Sequence, residues 1–341
     1  VGRPTVPLAM QPCIYATSGW GIHDERWTKA LRDVGFEPTI VRLGIDAQSP
    51  SELRRAVESH SNPTTPVLAG PLDSVACHLT SLAAPVVGLS WGFDLHTMSD
   101  TRWLVELQGL IVDSEATALI AENAGVPTTR ITRLPWGVDL SAFSPTGPKE
   151  DFTRWGVPTG AATVLSLRAH EPLYRVADII DGFASIADSN SAIHLIIGHS
   201  GSLTDQLKRQ AQQRNIHERT HFIGSVPESD LPALLRGTRL YVSASEVDGT
   251  SVTLLQAMAC GTPVLVSDTP GNIAWIREGN TGHVFQTGNA QDLARGLNAA
   301  LDDTSIDDQT QRARDRVLAD ADWSRNVSRL KQALERATLD S

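Results

Sequence analysis

The 341-residue chain is predicted to be an α/β protein built from two Rossmann-like, doubly wound domains. Two observations lead to this fold class. Short apolar runs with strand character alternate with helical segments through short loops along the chain, as in a parallel sheet covered by helices. The alternation is interrupted once, at 135–148, where three prolines and two glycines are concentrated. We therefore expect domains at 1–145 and 146–322, followed by a C-terminal helix within 323–341.

The first half contains five predicted strands and four predicted helices. The helix near 25–34 is typical: Trp27, Ala30, Leu31 and Val34 recur at helical spacing, and Gly35 ends it. The strands are predicted at 13–16, 39–43, 67–69, 86–89 and 109–112, and the other helices near 52–58, 73–82 and 115–123.

The second half repeats the pattern and ends in helices. Its strands are predicted at 164–167, 193–197, 220–223, 240–242 and 264–266. Its helices are predicted at 176–186, 203–213, 228–235, 252–260, 292–301 and 308–318, with a terminal helix at about 323–336.

Composition indicates a globular protein that does not bind nucleic acid in bulk. The formal net charge is −10, whereas nucleic-acid binding favours a basic surface. The three cysteines stand singly without a CxxC pair, as expected of free thiols in a reducing compartment. No apolar run approaches a membrane span and no signal pattern opens the sequence, so we expect a cytoplasmic location.

The stretch 240–268 carries the strongest functional signal. A short apolar strand is followed by a loop of small and acidic residues, and the loop leads into a helix that Gly261 and Pro263 terminate. The loop brings Asp248, Gly249, Thr250 and Ser251 to the N-terminus of that helix, which starts at Val252. Backbone N–H groups and the helix dipole make such a position suited to a phosphate.

Asp248 and Gln256 add a spacing constraint. They are eight positions apart, or about 12 Å if the span is mostly helical. That distance resembles the separation between the sugar and the ribose of a nucleotide-diphospho-sugar whose pyrophosphate lies on the amides between them.

With its neighbours, this stretch resembles the glutamate-x7-glutamate signature of retaining glycosyltransferase family 4, which is usually followed by Ala-Met-Ala-x-Gly-x-Pro-Val. Here Asp248 and Gln256 stand in place of the two glutamates. Other stretches resemble family motifs in the family's order: IVDSEA at 111–116, LPWGVD at 134–139, VLSLR at 164–168, HFIGSVP at 221–227 and GNTG at 279–282.

The resemblance implies the GT-B fold, with two domains facing a cleft and a terminal helix that crosses back to the first domain. It also implies retaining transfer of a sugar from a nucleoside-diphosphate donor, UDP-sugar favoured and GDP-sugar next, to the hydroxyl of a small-molecule, glycan or lipid-linked acceptor. Such enzymes usually need no metal and no cofactor, and this chain has no Asp-x-Asp run.

The resemblance also suggests residues for the donor. Arg168 would bind the pyrophosphate, although a surface arginine at a strand end is the alternative. Arg175 is a candidate for the family's lysine, or else a solvated residue at a helix start. Gly198 opens a turn in the place of a Gly-Asp-Gly turn near the base, which a plain glycine turn also explains. Gly224 and Val226 are implied backbone contacts to the base.

In the first domain, Gly19 and Gly21 resemble the glycine loop that approaches the donor. His23 and Asp24 are open to two interpretations, a helix cap or an acceptor contact. The turn WGFD at 91–94 resembles a His-Gly-x-Asp turn with Trp91 in place of histidine, and an indole cannot accept a proton. Asp94, as a catalytic residue, and His96 are candidates to orient the acceptor hydroxyl.

Two rival functions remain at this point. A non-catalytic relative that binds a nucleotide-sugar or serves as a partner subunit would explain Gln256 and Trp91. A nicotinamide dehydrogenase is disfavoured, because no first strand runs into a G-x-G-x-x-G turn.

Overall fold

A computed structural model describes residues 10–91, 94–189 and 192–339. The chain divides into two compact units. The first unit comprises Val1–Trp136 and Ser324–Ser341, and the second comprises Gly137–Trp323. Both contain a parallel six-stranded sheet flanked by helices, which is the predicted pair of Rossmann-like α/β domains.

The first unit has the strand order β2-β1-β3-β4-β5-β6. Its strands are β1 (Gln11–Ser18), β2 (Phe36–Leu43), β3 (Val67–Ala69), β4 (Val86–Leu89), β5 (Gly109–Val112) and β6 (Ile131–Arg133). Its helices are α1 (Ile22–Asp33), α2 (Pro50–His60), α3 (Asp94–Thr97) and α4 (Glu115–Asn123). All the pairings are parallel, so the strands end at one edge of the sheet, which we call the carboxyl edge.

The second unit has the strand order β12-β11-β10-β7-β8-β9. Its strands are β7 (Ala162–Ser166), β8 (Ile193–Gly198), β9 (Thr220–Gly224), β10 (Leu240–Ser243), β11 (Val264–Ser267) and β12 (His283–Phe285). Its helices are α5 (Val176–Ala187), α6 (Thr204–Gln213), α7 (Leu231–Gly237), α8 (Val252–Ala259), α9 (Pro270–Ile273), α10 (Ala290–Asp302) and α11 (Ile306–Asp320).

Side chains alternate between two apolar cores in this second sheet. Leu165, Tyr241 and Val266 face one core, to which α7, α8 and α11 contribute. Val164 and Val242 face the other, together with residues of α5, α6 and α10. Burial on both faces explains why these strands read as continuous apolar runs. Strands β7 and β10 are paired neighbours in this sheet, so the loops that follow them start side by side.

The end of the chain returns to the first unit. Two helices, α12 (Trp323–Asn326) and α13 (Ser328–Leu339), replace the single helix predicted there. In α13, Leu330, Ala333 and Leu334 are buried, and Arg329 and Arg336 donate to the backbone oxygens of Arg133 and Thr129. No helix in the described part of the chain is long and apolar enough to cross a membrane.

The division between the units falls after Trp136 rather than at 145. Residues of the proline-rich segment belong to the second unit: Phe143 packs in its core, and Arg236 donates to the carbonyls of Ser144 and Pro148. Val138 forms an isolated bridge with Asp322. Composition predicted a domain boundary in this segment, and these contacts show that the segment belongs to the second unit.

The helix predicted at 73–82 is wrong. Only a short 3-10 turn, Ala76–His78, forms there. The backbone N–H groups of Ala76 and Cys77 reach five residues back, whereas those of His78 and Leu79 reach three residues back, so no regular α-helical ladder develops. Strands β6 and β12 were not predicted; both are three residues long and lie at sheet edges.

Two histidines on adjacent strands of the second unit form a pair. The Nδ1 of His221 donates to the carbonyl of Trp155 at 2.9 Å, so its Nε2 accepts from the Nδ1 of His194 at 3.0 Å. Burial lowers the pKa of both imidazoles, and for His194 the charges of His221 and Arg219 lower it further. The neutral form of both rings is therefore favoured in the folded chain.

We expect this pair to make stability depend on pH. Because folding lowers both pKa values, the unfolded chain binds more protons, so stability is full above about pH 6.5 and falls as the pH drops below it. Thermal melting at pH 7 and at pH 5 should show a smaller decrease in Tm for His221→Gln than for the unmodified chain. The exposed His217→Gln is the matched control and should melt like the parent at both values. Equal pH dependence in His221→Gln and the parent would contradict the assignment.

Candidate functional site

A polar cluster lies at the carboxyl edge of the second sheet. Arg168 follows β7, while Asp248 and Ser251 come from the loop between β10 and α8. Arg168 Nη2 lies 2.8 Å from Asp248 Oδ2, and Arg168 Nη1 donates to the Ser251 hydroxyl at 2.9 Å. The strand order makes this cluster possible, because β7 and β10 are neighbours in the sheet although 83 positions separate Arg168 from Ser251.

The Arg168–Asp248 ion pair is largely, though not fully, shielded from solvent. The side chains are 11% and 14% exposed, and the Arg168 guanidinium lies 4.3 Å from the centre of the Tyr174 ring. Burial disfavours the charged form of Arg168, but the charge of Asp248 and the nearby Tyr241 and Tyr174 outweigh it, so the pKa of Arg168 is raised. The cluster therefore holds a permanent cation with a carboxylate counter-ion beside a helix N-terminus, an arrangement suited to an anionic ligand.

The start of α8 is fixed by Ser251. Its side chain accepts from the N–H of Leu254 as the N-cap of the helix, and the same hydroxyl accepts from Arg168. The first backbone N–H groups of any helix lack an intrahelical partner. In α8, whose first helical residue is Val252, these N–H groups lie beside Arg168. They come directly after the loop residues Gly249 and Thr250, of which Thr250 is buried.

Gln256 lies on the second turn of α8. The residue is buried, with 4% of its surface exposed. The four residues from Asp248 to Ser251 are loop rather than helix, so the separation predicted for a mostly helical span applies only to its second half. A role for Gln256 at the ribose stays a prediction.

The loop at Asp248 rests on a turn that the sequence did not single out. A Cβ placed on Gly271 would collide with the backbone oxygens of Gly249 and Asp248. The turn is itself fixed, because the buried Asn272 donates to the carbonyl oxygen and the hydroxyl of Ser267. Only glycine at 271 lets this turn support the loop that carries Asp248.

Arg175 is held by two carboxylates. Its Nε donates to Asp178 at 2.7 Å, its Nη1 lies 3.6 Å from Glu246, and its backbone is left-handed with φ 47°. Glu246 is two residues before Asp248, so Arg175 lies near the predicted donor loop. These contacts give it a local partner and leave its predicted role as a donor contact untested.

The turn after β8 is locked to the segment after Arg168. His170 is buried and bonds the Thr204 hydroxyl at 2.8 Å and the carbonyl of Gly198 at 3.1 Å through its two ring nitrogens. Burial lowers the pKa of His170, so the ring is neutral at pH 7 and joins the two segments through hydrogen bonds. Sequence reasoning missed His170.

The remaining residues predicted for the base are adjacent to this turn. Gly224 has φ 71° and accepts from the N–H of His199 at 2.6 Å, and Val226 is half-buried against the core. Glycine is required at 224 by its left-handed backbone, whether or not a base binds there.

Asp24, predicted as a helix cap or an acceptor contact, is buried and fully engaged. Its carboxylate accepts from the hydroxyls of Tyr15 and Thr17 at 2.9 and 2.6 Å and from the N–H of Gly21 at 2.8 Å. It thereby fixes the glycine loop at the start of α1, where Gly19 has φ 69°. The geometry supports the capping interpretation.

Asp94 is engaged in the same way. It accepts from the N–H groups of Leu72, Trp91 and Leu95 and from the hydroxyl of Ser90, at 2.6 to 3.1 Å. A carboxylate with four internal donors is suited to positioning the turn at Trp91 rather than to binding an acceptor hydroxyl. His96 is exposed, with its Nε2 3.5 Å from the Thr117 hydroxyl.

No group of three or more His, Cys, Asp or Glu residues that could hold a metal ion was found in residues 10–91, 94–189 and 192–339. Tyr174 and Tyr241, which surround Arg168, were also missed by sequence reasoning. Tyr241 follows the first residue of β10 and looks like an ordinary core position, so only its packing next to Arg168 reveals a link to the site.

This two-domain α/β fold, with a cation and a helix N-terminus at a carboxyl edge, is of the kind that binds nucleotides. Comparison with known proteins shows which nucleotide-binding proteins this chain resembles. Residues 148–316 match the family described as Glycosyl transferases group 1. The matched segment lies in the second unit and contains Arg168, Asp248 and Gln256.

Several curated proteins are similar over part of the chain. Phosphatidyl-myo-inositol mannosyltransferase of Mycobacterium tuberculosis is 29% identical over 210 residues, covering 59% of this chain and 53% of its own. Alpha-monoglucosyldiacylglycerol synthase of Streptococcus pneumoniae is 24% identical over 173 residues, covering 49% and 39%. The chain thus spans about half the length of the first of these relatives.

Solved structures resemble the whole fold. HepE of Anabaena in complex with UDP and glucose has a TM-score of 0.74 at 15% identity, covering 94% of this chain and 99% of its own. A glycosyltransferase from Rickettsia africae has a TM-score of 0.77 at 14% identity, covering 97% and 100%. These structural similarities support the GT-B fold.

The contact between Gly271 and the loop gives a testable consequence. Gly271→Ala should displace Asp248 and Gly249 and loosen the pairing with Arg168, because the added methyl group collides with backbone rather than with a flexible side chain. We expect about 1–3 kcal/mol of destabilisation, typical of overpacking. Urea unfolding measures it.

Gly109→Ala is the matched control. An added Cβ there meets only the Val87 side chain, at 3.3 Å. If Gly271→Ala unfolds at the same urea concentration as the parent, the turn does not support the loop.

Proposed function

We propose that the chain transfers a sugar from a nucleoside-diphosphate donor to an acceptor hydroxyl, with retention at the anomeric carbon. The observation that carries the proposal is the Arg168–Asp248–Ser251 cluster at the start of α8. This cluster lies inside the segment that matches the group 1 glycosyl transferases. The named relatives, a mannosyltransferase and a monoglucosyldiacylglycerol synthase, support the same reaction class.

In the proposed reaction the bond between the anomeric carbon and the diphosphate breaks, and the electron pair leaves with the phosphate oxygen. The acceptor oxygen forms the new bond on the same face, and its proton passes to the leaving phosphate. Charge therefore grows on the diphosphate as the bond breaks. Arg168 and the N-terminal amides of α8 would stabilise that charge without a metal ion.

The pairing of Arg168 with Asp248 holds the side chains of this site in place before the donor binds. A guanidinium fixed by a carboxylate, the Ser251 hydroxyl and the Tyr174 ring loses little side-chain entropy on binding phosphate. Asp248 would then act in two ways, as the counter-ion that orients Arg168 and as an acceptor for a hydroxyl of the donor sugar.

A UDP-sugar is the donor we favour, with a GDP-sugar next. HepE of Anabaena binds UDP and glucose, which supports a uridine donor for a protein of the same fold. With Gln256 at the ribose, a neutral amide replaces a carboxylate. The loss of a charge-assisted hydrogen bond would weaken nucleotide affinity by about 1–2 kcal/mol. The alternative of a non-catalytic relative gains no support from the named proteins, which are transferases and synthases.

The donor is identified by thermal stabilisation. We expect a UDP- or GDP-sugar to raise the Tm by several degrees in a panel that also holds ADP- and dTDP-sugars, because a ligand that binds only the folded state stabilises it. The shift should persist in EDTA. Gln256→Glu should enlarge the shift for the same donor, since it restores a charged acceptor for two ribose hydroxyls. No shift with any donor would contradict the proposal, and loss in EDTA with rescue by Mg²⁺ would overturn metal independence.

A second test concerns the reaction itself. Arg168→Ala should lower the transfer rate by about two decades or more, because it removes charge stabilisation that matters most in the transition state. The exposed Arg239, at the opposite end of β10, provides the matched control, and Arg239→Ala should transfer at the parent rate. Parent-like turnover of Arg168→Ala in a folded protein would remove Arg168 from the mechanism.

A further inference from the structure

We propose that a row of aromatic rings in the first unit is a stacking subsite for a pyranose ring of the acceptor. The row consists of Trp91, His23, Trp136 and Trp27, in that order. This inference rests on the proposed function, since it names the acceptor class of that reaction. It specifies an acceptor that offers a sugar ring, rather than a bare lipid alcohol.

The four rings form a continuous series. The ring centroids of Trp91 and His23 are 5.9 Å apart, those of His23 and Trp136 are 5.1 Å apart, and those of Trp136 and Trp27 are 5.1 Å apart. Successive planes are tilted by 52° to 57°, between the offset-stacked and edge-to-face arrangements, and the centroid distances are those of interacting aromatic pairs. Trp27 is 3% exposed and fixes one end of the row in the core.

The row lies where a ligand of this sheet is expected. Trp91 follows β4, His23 is in the first turn of α1 after β1, and Trp136 follows β6. All three segments leave the carboxyl edge of one parallel sheet, which is where open α/β sheets bind their ligands. Three separate connections thus bring rings to this edge, whereas a ring needed only for packing could come from a single helix.

Exposure separates the row from ordinary core. His23 is exposed, and Trp91 and Trp136 are half-buried, so three of the four rings retain accessible surface. The indole nitrogen of Trp91 is buried, and Gly70 approaches it so closely that a Cβ there would lie 3.0 Å away. The backbone N–H of Trp91 donates to Asp94, which fixes the turn that carries the indole.

The chemistry of the row fits a neutral sugar. A pyranose has an apolar face of C–H groups and a rim of hydroxyls. The face can stack on an indole, and the rim can meet the ring nitrogens of His23. Two buried carboxylates at the same edge of the sheet, Asp24 and Asp94, accept hydrogen bonds from their own unit.

A membrane surface fits the row less well. An interfacial helix presents a large apolar face, whereas the exposed residues among positions 23–33 of α1 are polar. They are His23, Glu25, Lys29, Arg32 and Asp33.

The substitution of tryptophan at 91 now has a physical meaning. The indole cannot accept a proton, but it offers a larger flat surface than an imidazole. Because Asp94 holds the backbone of Trp91 in either case, the change replaces acid–base chemistry with stacking at an otherwise unchanged turn.

Saturation-transfer NMR with methyl glycopyranosides tests the inference on the whole chain without a donor. The panel comprises the gluco, galacto and manno configurations and the N-acetylglucosaminide, each as both anomers. At least one glycoside should receive saturation mainly on the protons of one ring face. Trp91→Ala should reduce this transfer at least five-fold, and Trp91→Phe should retain much of it, as expected for a stacking contribution of about 1 kcal/mol.

The control is Trp20→Phe, which alters an exposed tryptophan outside the row and should leave the transfer unchanged. Thermal stabilisation by the donor should be the same in both Trp91 variants as in the parent, so a failed donor panel refutes the proposed function separately. The inference is overturned if no glycoside receives saturation, if Trp91→Ala binds glycosides as well as the parent, or if only phosphatidylglycerol vesicles bind through Trp91.

Discussion

The ion pair between Arg168 and Asp248 is the constraint on which the second unit's site depends. Burying a guanidinium and a carboxylate is costly for each, and their attraction offsets the cost only when the geometry is good. Here the pair is supported by the Ser251 hydroxyl and the Tyr174 ring, and the loop that carries Asp248 is braced by Gly271. Removing one partner of such a pair typically costs about 3–5 kcal/mol. The charge of Arg168 is therefore in place before any anion binds.

Much of this fold could be predicted from the sequence, because strands buried on both faces read as apolar runs. Strands β3, β4 and β5 fall where they were predicted, and so does α4. The failures have local causes. Strand β6 is half-exposed and ends in Arg133, so its pattern is that of a loop. The segment 73–82 has apolar residues at helical spacing. Some of its backbone N–H groups nevertheless bond five residues back and others three residues back, which periodicity does not reveal.

The sequence located the candidate site but not its internal bonding. Motif spacing singled out Arg168, Asp248 and Gln256, and the structure brings the first two into contact. It also singled out Asp24 and Asp94 as potential reactive groups. Their hydrogen-bond partners come from distant segments, such as Tyr15 in β1 and Leu72 after β3, so only the fold shows that both carboxylates are occupied. For the same reason Gly271 and Tyr174 carried no signal.

The two units differ in the charge of the groups at their carboxyl edges. At the carboxyl edge of the first, Asp24 and Asp94 are satisfied internally, and the accessible groups include aromatic rings. At that of the second, a buried cation and a helix N-terminus are suited to an anion. A neutral sugar has no charge with which to compete for Arg168, and a diphosphate gains little from stacking on rings. Each substrate would thus bind one unit through an interaction that the other unit does not offer. The two substrates would not compete for one site, so their order of binding need not be enforced.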